Sequence, residues 1–266
     1  MMHVSNTIAE WQERRRGLEG QSIGFVPTMG ALHEGHGSLV KRCRAENDCV
    51  VVSLFVNPTQ FNDPGDLAKY PRTLESDLAI LRELGTDEVL VPTMDAMYPN
   101  GYQFKVTAPE LTNLMEGAFR PGFFEGVMTV VLKLFNLVRA DRAYFGEKDY
   151  QQMKIVKAMA ADLFIPTEVI PCPTVRESSG LAMSSRNVRL SPEGREKAAL
   201  ISKALRSADA RAALERAGFT VDYVEEHWGR RLAAVFLEGV RLIDNVPAKV
   251  HSNGLPESAY RLQCRR

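Results

Sequence analysis

The chain has 266 residues, 45% apolar and 25% charged, with 33 basic and 33 acidic side chains. That length admits one large domain or two modest ones, and the apolar fraction is enough for a packed core. A formal net charge of zero gives no general field for nucleic acid, which argues against that partner, and no apolar run is long enough to span a bilayer.

Cys43, Cys49, Cys172 and Cys264 show neither metal-type spacing nor disulfide-rich density, so they read as reduced structural thiols. The N-terminal stretch has no signal-peptide apolar core. Together these features lead to the expectation of a cytoplasmic protein.

Residues 5–19 suggest a short helix that buries Ile8, Trp11 and Leu18, with Arg14-Arg15-Arg16 as a solvated face. An apolar run over 23–26 reads as a buried strand. Pro27 is expected to stop it, since proline has no N–H for the ladder. The segment Pro27-Thr28-Met29-Gly30-Ala31-Leu32-His33-Glu34-Gly35-His36 follows. From Gly35 the spacing turns helical through Leu39, Val40 and Cys43. Strand, glycine turn and helix start in succession offer free N–H groups and a helix dipole to phosphate. Two histidines at that turn can donate to phosphate oxygens and, if protonated, neutralise them. Singly, they read more readily as surface histidines.

Residues 49–56 form an almost unbroken apolar run with four valines, the pattern of a strand covered on both faces. It ends in Asn57-Pro58-Thr59-Gln60-Phe61, at the edge where open α/β sheets bind ligands. A helix follows over 73–84, with Leu74, Leu78, Leu81 and Leu84 on one stripe and Gly85 as terminator. Strands are expected over 88–91 and 104–108, an apolar helix over 126–138, a short strand over 143–145, a helix through Ile155, Val156, Met159 and Leu163, and a strand over 167–170. This alternation predicts an α/β fold, a Rossmann-like doubly wound parallel sheet.

The pattern changes near Pro171-Cys172-Pro173. Ser191-Pro192 is a helix start, with serine as cap and proline in the first turn. Alanine-rich helix over 195–217, broken once, leads to short strands over 219–224, 233–236 and 240–243. The division expected is a nucleotide-binding and catalytic domain over 1–173 and a smaller α+β lid domain over 174–266.

Two segments carry chemistry beyond the histidine turn. In Gly146-Glu147-Lys148-Asp149-Tyr150-Gln151-Gln152, Lys148 could neutralise phosphate, Asp149 could accept from ribose hydroxyls and Gln152 could orient a polar substrate. Met183-Ser184-Ser185-Arg186 offers two hydroxyls and a guanidinium, a workable phosphate clamp. Alone, the first reads more readily as an ordinary charged loop with a helix start, and the second equally as a polar interdomain loop.

The histidine turn closely resembles the signature of the pantothenate synthetase (pantoate–β-alanine ligase) family, a branch of the nucleotidyltransferase and class I synthetase-like superfamily. Val56 to Phe61, Tyr70-Pro71-Arg72-Thr73, Arg120-Pro121-Gly122, Phe145 to Gln152, Gly180 to Asn187 and Arg241-Leu242-Ile243-Asp244-Asn245 resemble the same family, in order, over nearly the whole chain. The resemblance implies an AMP-forming ligase, acting through a pantoyl-adenylate, with ATP as substrate, magnesium as cofactor and a homodimeric assembly. By motif it implies that His33, His36, Lys148 and Arg186 are catalytic. ATP would be bound by Met29, Gly30, Ala31, Leu32, His33, Glu34, Gly35, His36, Gly146, Glu147, Lys148, Asp149, Val175, Met183, Ser184, Ser185 and Arg186. Pantoate would be held by Gln60 and Gln152, with Gln60 also orienting β-alanine; no protein metal ligand is implied.

Three departures from the family pattern stand out: Phe123 where many members have histidine, Ser179 where an aspartate is usual, and a shorter segment between Tyr223 and Arg241. Two other readings stay open at this stage. One is a nucleotidylyltransferase acting on a phosphorylated metabolite, and the other is a non-catalytic nucleotide-binding relative with a truncated lid.

Overall fold

The computed structural model describes residues 2–248, so the expectation for Cys264 lies outside the described residues. The first half of the chain contains β1 His3–Ser5, α1 Ile8–Arg16, β2 Ile23–Thr28, α2 Glu34–Glu46, β3 Cys49–Leu54, α3 Pro64–Ala68, α4 Leu74–Glu83, β4 Glu88–Leu90, α5 Met94–Met97, α6 Pro109–Thr112, α7 Glu116–Phe119 and α8 Phe123–Val138. It continues through β5 Arg142–Gly146, α9 Tyr150–Asp162, β6 Glu168–Cys172, α10 Pro192–Ala198, α11 Leu200–Ala204, α12 Ala210–Arg216, β7 Thr220–His227, β8 Arg230–Leu237 and β9 Val240–Pro247. Single 3-10 turns lie at Pro58–Gln60, Glu147–Asp149 and Asn187–Arg189.

Six strands form a parallel sheet in the order β1-β4-β3-β2-β5-β6. Alternate residues of the central strands face opposite layers. Phe25 and Val51 pack with Trp11, Val127 and Phe135 on one side, and Val26, Val50 and Val52 pack with Val40, Cys43 and Leu81 on the other. This covering of both faces is why the runs over 23–26 and 49–54 are continuously apolar. Trp11 is fully buried and donates from Nε1 to the Leu137 carbonyl at 2.8 Å, fixing α1 to the end of α8.

Order reverses at β2, with β3 and β4 on one side and β5 and β6 on the other. β2 pairs with β3 along its full length, but with β5 only at Gly24 and Phe25. Beyond that point the two strands part and leave a crevice at their carboxyl ends, where doubly wound sheets bind ligands.

The second unit is an antiparallel meander, β7-β8-β9, packed on α10 to α12 around Ile201, Leu205, Leu214, Phe219 and Val235. Its hairpins turn on Trp228-Gly229 and Glu238-Gly239, all four residues with φ between 51° and 71°. Positive φ at both central positions is the tight reversal that matches strand twist. The short segment between Tyr223 and Arg241 therefore holds two complete hairpin turns.

Several expectations are corrected. Pro27 lies inside β2, opposite Ser53, past the last pairing with β5, where a missing N–H breaks no recorded ladder. β1 was not anticipated; it extends the sheet beside β4. Residues 104–108 form no strand: Phe104 is exposed, and the Val106 N–H is met by Thr129 Oγ1 at 3.0 Å instead of a neighbouring strand. Leu74 and Leu163 are exposed, one in the first turn of α4 and the other just past α9. The alanine-rich stretch is three short helices with two interruptions. Arg14 pairs with Glu88 and Arg15 donates to the Val138 carbonyl, so this face is more than solvated.

Candidate active site

The turn after β2 is built around an aspartate on α4. Asp77 is buried and accepts from the N–H groups of Ala31 at 3.0 Å and Leu32 at 2.8 Å, and from Thr73 Oγ1 at 3.1 Å. Gly30 has φ +76°, and a Cβ there would stand 2.9 Å from Asp77 Oδ2, so both backbone shape and contact require glycine. The N–H groups of Ala31 and Leu32, expected to be free for phosphate, are thus already taken.

His33 caps α2, its Nδ1 accepting from the Gly35 N–H at 3.1 Å. His36 Nδ1 accepts from the His33 N–H at 3.3 Å, and the two rings lie 4.1 Å apart. Because each Nδ1 accepts, each ring carries its proton on Nε2 and remains a donor. Burial, with the nearby Lys148, pushes His33 down to about 4. Burial, His33 and Lys148 push His36 down to about 3. The protonated imidazoles considered from sequence are therefore replaced by neutral donors. A Cβ at Gly35 would lie 2.8 Å from His33 Cε1, so the missing side chain makes room for that ring.

The Pro58–Gln60 turn closes a second wall. Asn57 caps it, accepting at Oδ1 from Thr59 Oγ1 at 2.9 Å and Tyr98 Oη at 3.1 Å. Asn57 Nδ2 donates to Gln60 Oε1 at 3.0 Å and to the Gly126 carbonyl at 3.2 Å. With Gln60 Oε1 held this way, its Nε2 is the donor left to a ligand. Gly126 of α8 packs hard on this turn, since a Cβ there would meet the Thr59 carbonyl oxygen at 2.3 Å.

Opposite lies the end of β5. Asn245 Nδ2 on β9 donates to the carbonyls of Glu147 at 2.8 Å and Lys148 at 3.1 Å, and Arg230 pairs with the Glu147 carboxylate. Lys148 Nζ sits 3.6 Å from Asp149 Oδ1. Gln151 is spent on structure, accepting from the Glu116 N–H at 3.1 Å and donating to the Leu114 carbonyl at 2.9 Å, whereas Gln152 lines the cavity.

The 173–187 loop crosses above. Met183 N–H donates to the Val175 carbonyl at 3.0 Å, and Arg176 grips Asp244 through two bonds of 2.7 and 2.8 Å. Arg186 and Arg189 converge on Asp66 of α3 at 2.8 and 2.7 Å. Burial raises the Asp66 carboxyl, but the two guanidiniums outweigh it and hold it below the usual range.

These walls enclose one cavity of about 580 Å³, a size suited to a small-molecule site. It gathers Met29, His33, Gly35, His36, Gln60, Gly146, Lys148, Asp149, Gln152, Val175, Met183, Ser184, Ser185 and Arg186. Gly30, Ala31, Leu32, Glu34 and Glu147 do not line it. The first three form the Asp77-held turn, and Glu147 faces Arg230. Sequence reasoning missed Asn57, Asp66, Asp77 and Arg189. Asp77 carried a signal of its own, being an acidic residue beside the leucine stripe of α4.

A family model described as Pantoate-beta-alanine ligase matches residues 2–247. The pantothenate synthetase of Bdellovibrio bacteriovorus is 51% identical over 250 residues, covering 92% of this chain and 99% of that protein. That of Coxiella burnetii is 48% identical over 251 residues, covering 93% and 97%. The crystal structure of pantoate-beta-alanine ligase from Francisella tularensis, complexed with beta-gamma ATP and beta-alanine, superposes with a TM-score of 0.89 at 42% identity, covering 93% of this chain and 98% of that one. The pantothenate synthetase from Thermus thermophilus gives 0.86 at 44% identity, covering 92% and 99%.

Proposed function

The chain belongs to the pantoate–β-alanine ligase family, and from that premise we propose how its cavity carries the reaction. The protein is a ligase that condenses pantoate and β-alanine to pantothenate at the expense of ATP. The proposed course has two steps. The pantoate carboxylate attacks the α-phosphorus of ATP and pyrophosphate leaves. The neutral amine of β-alanine then attacks the acyl carbon of pantoyl-adenylate, a proton is lost and AMP leaves.

A carboxylate is already a nucleophile, so the first step needs positioning and charge stabilisation, with no base. Lys148 and Arg186 supply charge to the phosphates. His33 and His36 supply neutral Nε2–H donors, and Ser184 and Ser185 supply hydroxyls. Gly146 and Asp149 hold the ribose, while Met29, Val175 and Met183 border the base. Gln60 and Gln152 hold pantoate, and Gln60 also orients β-alanine. The turn of Gly30, Ala31 and Leu32 shapes the phosphate side from beneath.

Among the described residues no group of three or more His, Cys, Asp or Glu could hold a metal. Magnesium keeps waters and takes phosphate oxygens readily, so it would be held through the ATP phosphates. The smaller unit, over 174–266, is proposed as a lid on the 1–173 domain, supported by the Asn245 bonds to the Lys148 loop. A homodimer rests on the family resemblance, and a cytoplasmic setting on the reduced, structural character of the cysteines. No helix among the described residues is long and apolar enough to cross a membrane.

The observation that carries the reading is the pair Gln60 and Gln152 in the same cavity as His36 and Lys148. Neutral amides suit a small hydroxy acid; a phosphorylated acceptor calls for further cations, which weighs against a nucleotidylyltransferase. Relatives matched over nearly their full length weigh against a truncated, inactive lid. AMP and pyrophosphate should appear only when ATP, magnesium, pantoate and β-alanine are all supplied. Folded protein that binds ATP yet forms no AMP under those conditions would overturn the ligase reading.

A further inference from the structure

We propose that Arg120 is the residue that recognises the carboxylate of β-alanine, an inference that rests on the ligase reading above. Pantoate and β-alanine each bring a carboxylate, and they meet different fates. Pantoate's is consumed, becoming the acyl phosphate. β-Alanine's passes unreacted into the product, so it needs a static cation away from the phosphates, within one small molecule's length of the acyl carbon.

The cavity's other cations are committed. Arg186 and Arg189 are held by Asp66, Lys148 belongs to the phosphate side, and Arg241 lies 2.7 Å from Glu116 and 2.8 Å from Asp222, with its one nitrogen unpartnered among the described residues, Nη2, buried. Arg120 is different. Its nearest carboxylate among the described residues is Glu116, at a long 3.5 Å, and Glu116 is already shared with Arg241 and with Tyr223 Oη at 3.0 Å. The remaining recorded bond runs from Arg120 Nη2 to the Gln60 carbonyl at 3.2 Å, which ties the guanidinium to the pantoate wall.

Its setting suits a planar anion. The guanidinium carbon lies 3.6 Å from the centroid of the Phe123 ring, which fixes its plane from one side. This gives a use to the phenylalanine that stands where many relatives have histidine. Arg120 lines both the main cavity and a side recess of about 30 Å³ that Lys148 and Gln152 also border. Burial, and the like charges of Arg186 and Arg241, disfavour its charged form; an arriving carboxylate relieves this strain. A guanidinium fork can then bind both oxygens of the carboxylate.

The test compares β-alanine with its amide, 3-aminopropanamide, as amine acceptors for pantoyl-adenylate. Wild type should prefer β-alanine by roughly 10²-fold in kcat/KM, the usual scale for a charge-assisted pair in a desolvated site. Arg120→Gln should lose most of that preference by losing β-alanine, with the amide much less affected, and Arg120→Lys should fall between. Pantoate-dependent exchange of pyrophosphate into ATP needs no β-alanine, so it reports whether each variant is folded and loaded. Equal losses on the acid and the amide, in a variant that still exchanges, would make Arg120 a structural residue and overturn the assignment. A wild type without exchange would instead sink the ligase reading, and the assignment with it.

Discussion

At the residue scale the histidine turn shows what composition conceals. His33 and His36 were legible as candidate site residues because strand, glycine turn and helix start surround them, and both line the cavity. Their protonation was not legible, since it depends on two backbone N–H groups that occupy Nδ1 and on the depth of the pocket. Both folded-state values lie below the ordinary imidazole value of 6.5. Between those values the unfolded chain binds more protons, so stability rises with pH through the window from about 3 to 6.5 and levels off above it. For the same reason the rate of adenylate formation should show no imidazole inflection near 6.5; one found there and abolished in His36→Ala would mean that the charged form works in the site. His36→Ala itself should slow the first step by roughly 10²-fold, by analogy with loss of one oxyanion donor, and ATP affinity less. Single-turnover measurements of the two half-reactions decide this, and an unchanged first step with an impaired second would move His36 to the amine step.

At the element scale the legible features were those made by local chemistry. Ser191 caps α10 with its side chain accepting from the Gly194 N–H, and Pro192 opens the helix, as the dipeptide implied. The hairpins at Trp228-Gly229 and Glu238-Gly239 carried only half of the usual signal, a glycine at the second turn position without the asparagine or aspartate that commonly precedes it. The failure of the strand over 104–108 was not legible, for a strand needs a partner that only tertiary structure supplies. The contact of α8 with the Gln60 turn belongs to this scale too. A methyl at Gly126 would overlap the Thr59 carbonyl and approach the Gln60 nitrogen at 2.8 Å, both backbone atoms that cannot swing aside. Gly126→Ala should therefore destabilise by about 1–3 kcal/mol and push Gln60 out of register with pantoate. Expected in kinetics is a KM for pantoate raised roughly 10-fold or more, the scale of one mispositioned hydrogen bond, against a small change for ATP. Wild-type values for both thermal stability and pantoate KM would show that the turn yields without consequence.

At the scale of the whole molecule, the sheet order and the join between the two units were closed to sequence reasoning, because each depends on pairs far apart in the chain. The join is a cluster of charges. Glu116 of α7 is nearly buried, and it meets Arg241 of β9, Tyr223 of β7 and, more loosely, Arg120. Arg241 in turn reaches Asp222, while its Nη2 has no partner among the described residues. Burial raises the Glu116 carboxyl, but Arg241, Arg120 and the Tyr223 hydroxyl outweigh it and leave the group below its ordinary range. A depressed carboxyl contributes stability above its unfolded value, and that contribution is lost as pH falls through the folded one. The same site makes the last prediction. Glu116→Ala leaves Arg241 desolvated beside Asp222 alone, and breaking a buried pair by removing one member costs about 3–5 kcal/mol. Glu116→Ala combined with Arg241→Met removes the stranded charge together with its partner, so the double variant should recover a large part of that loss. Denaturant midpoints of the two single variants, the double and the wild type form a cycle that isolates the pair. Strictly additive losses would mean that the units are held by their apolar contacts, with Met115 against Tyr223 and Leu232, and that the charge cluster contributes nothing to the join.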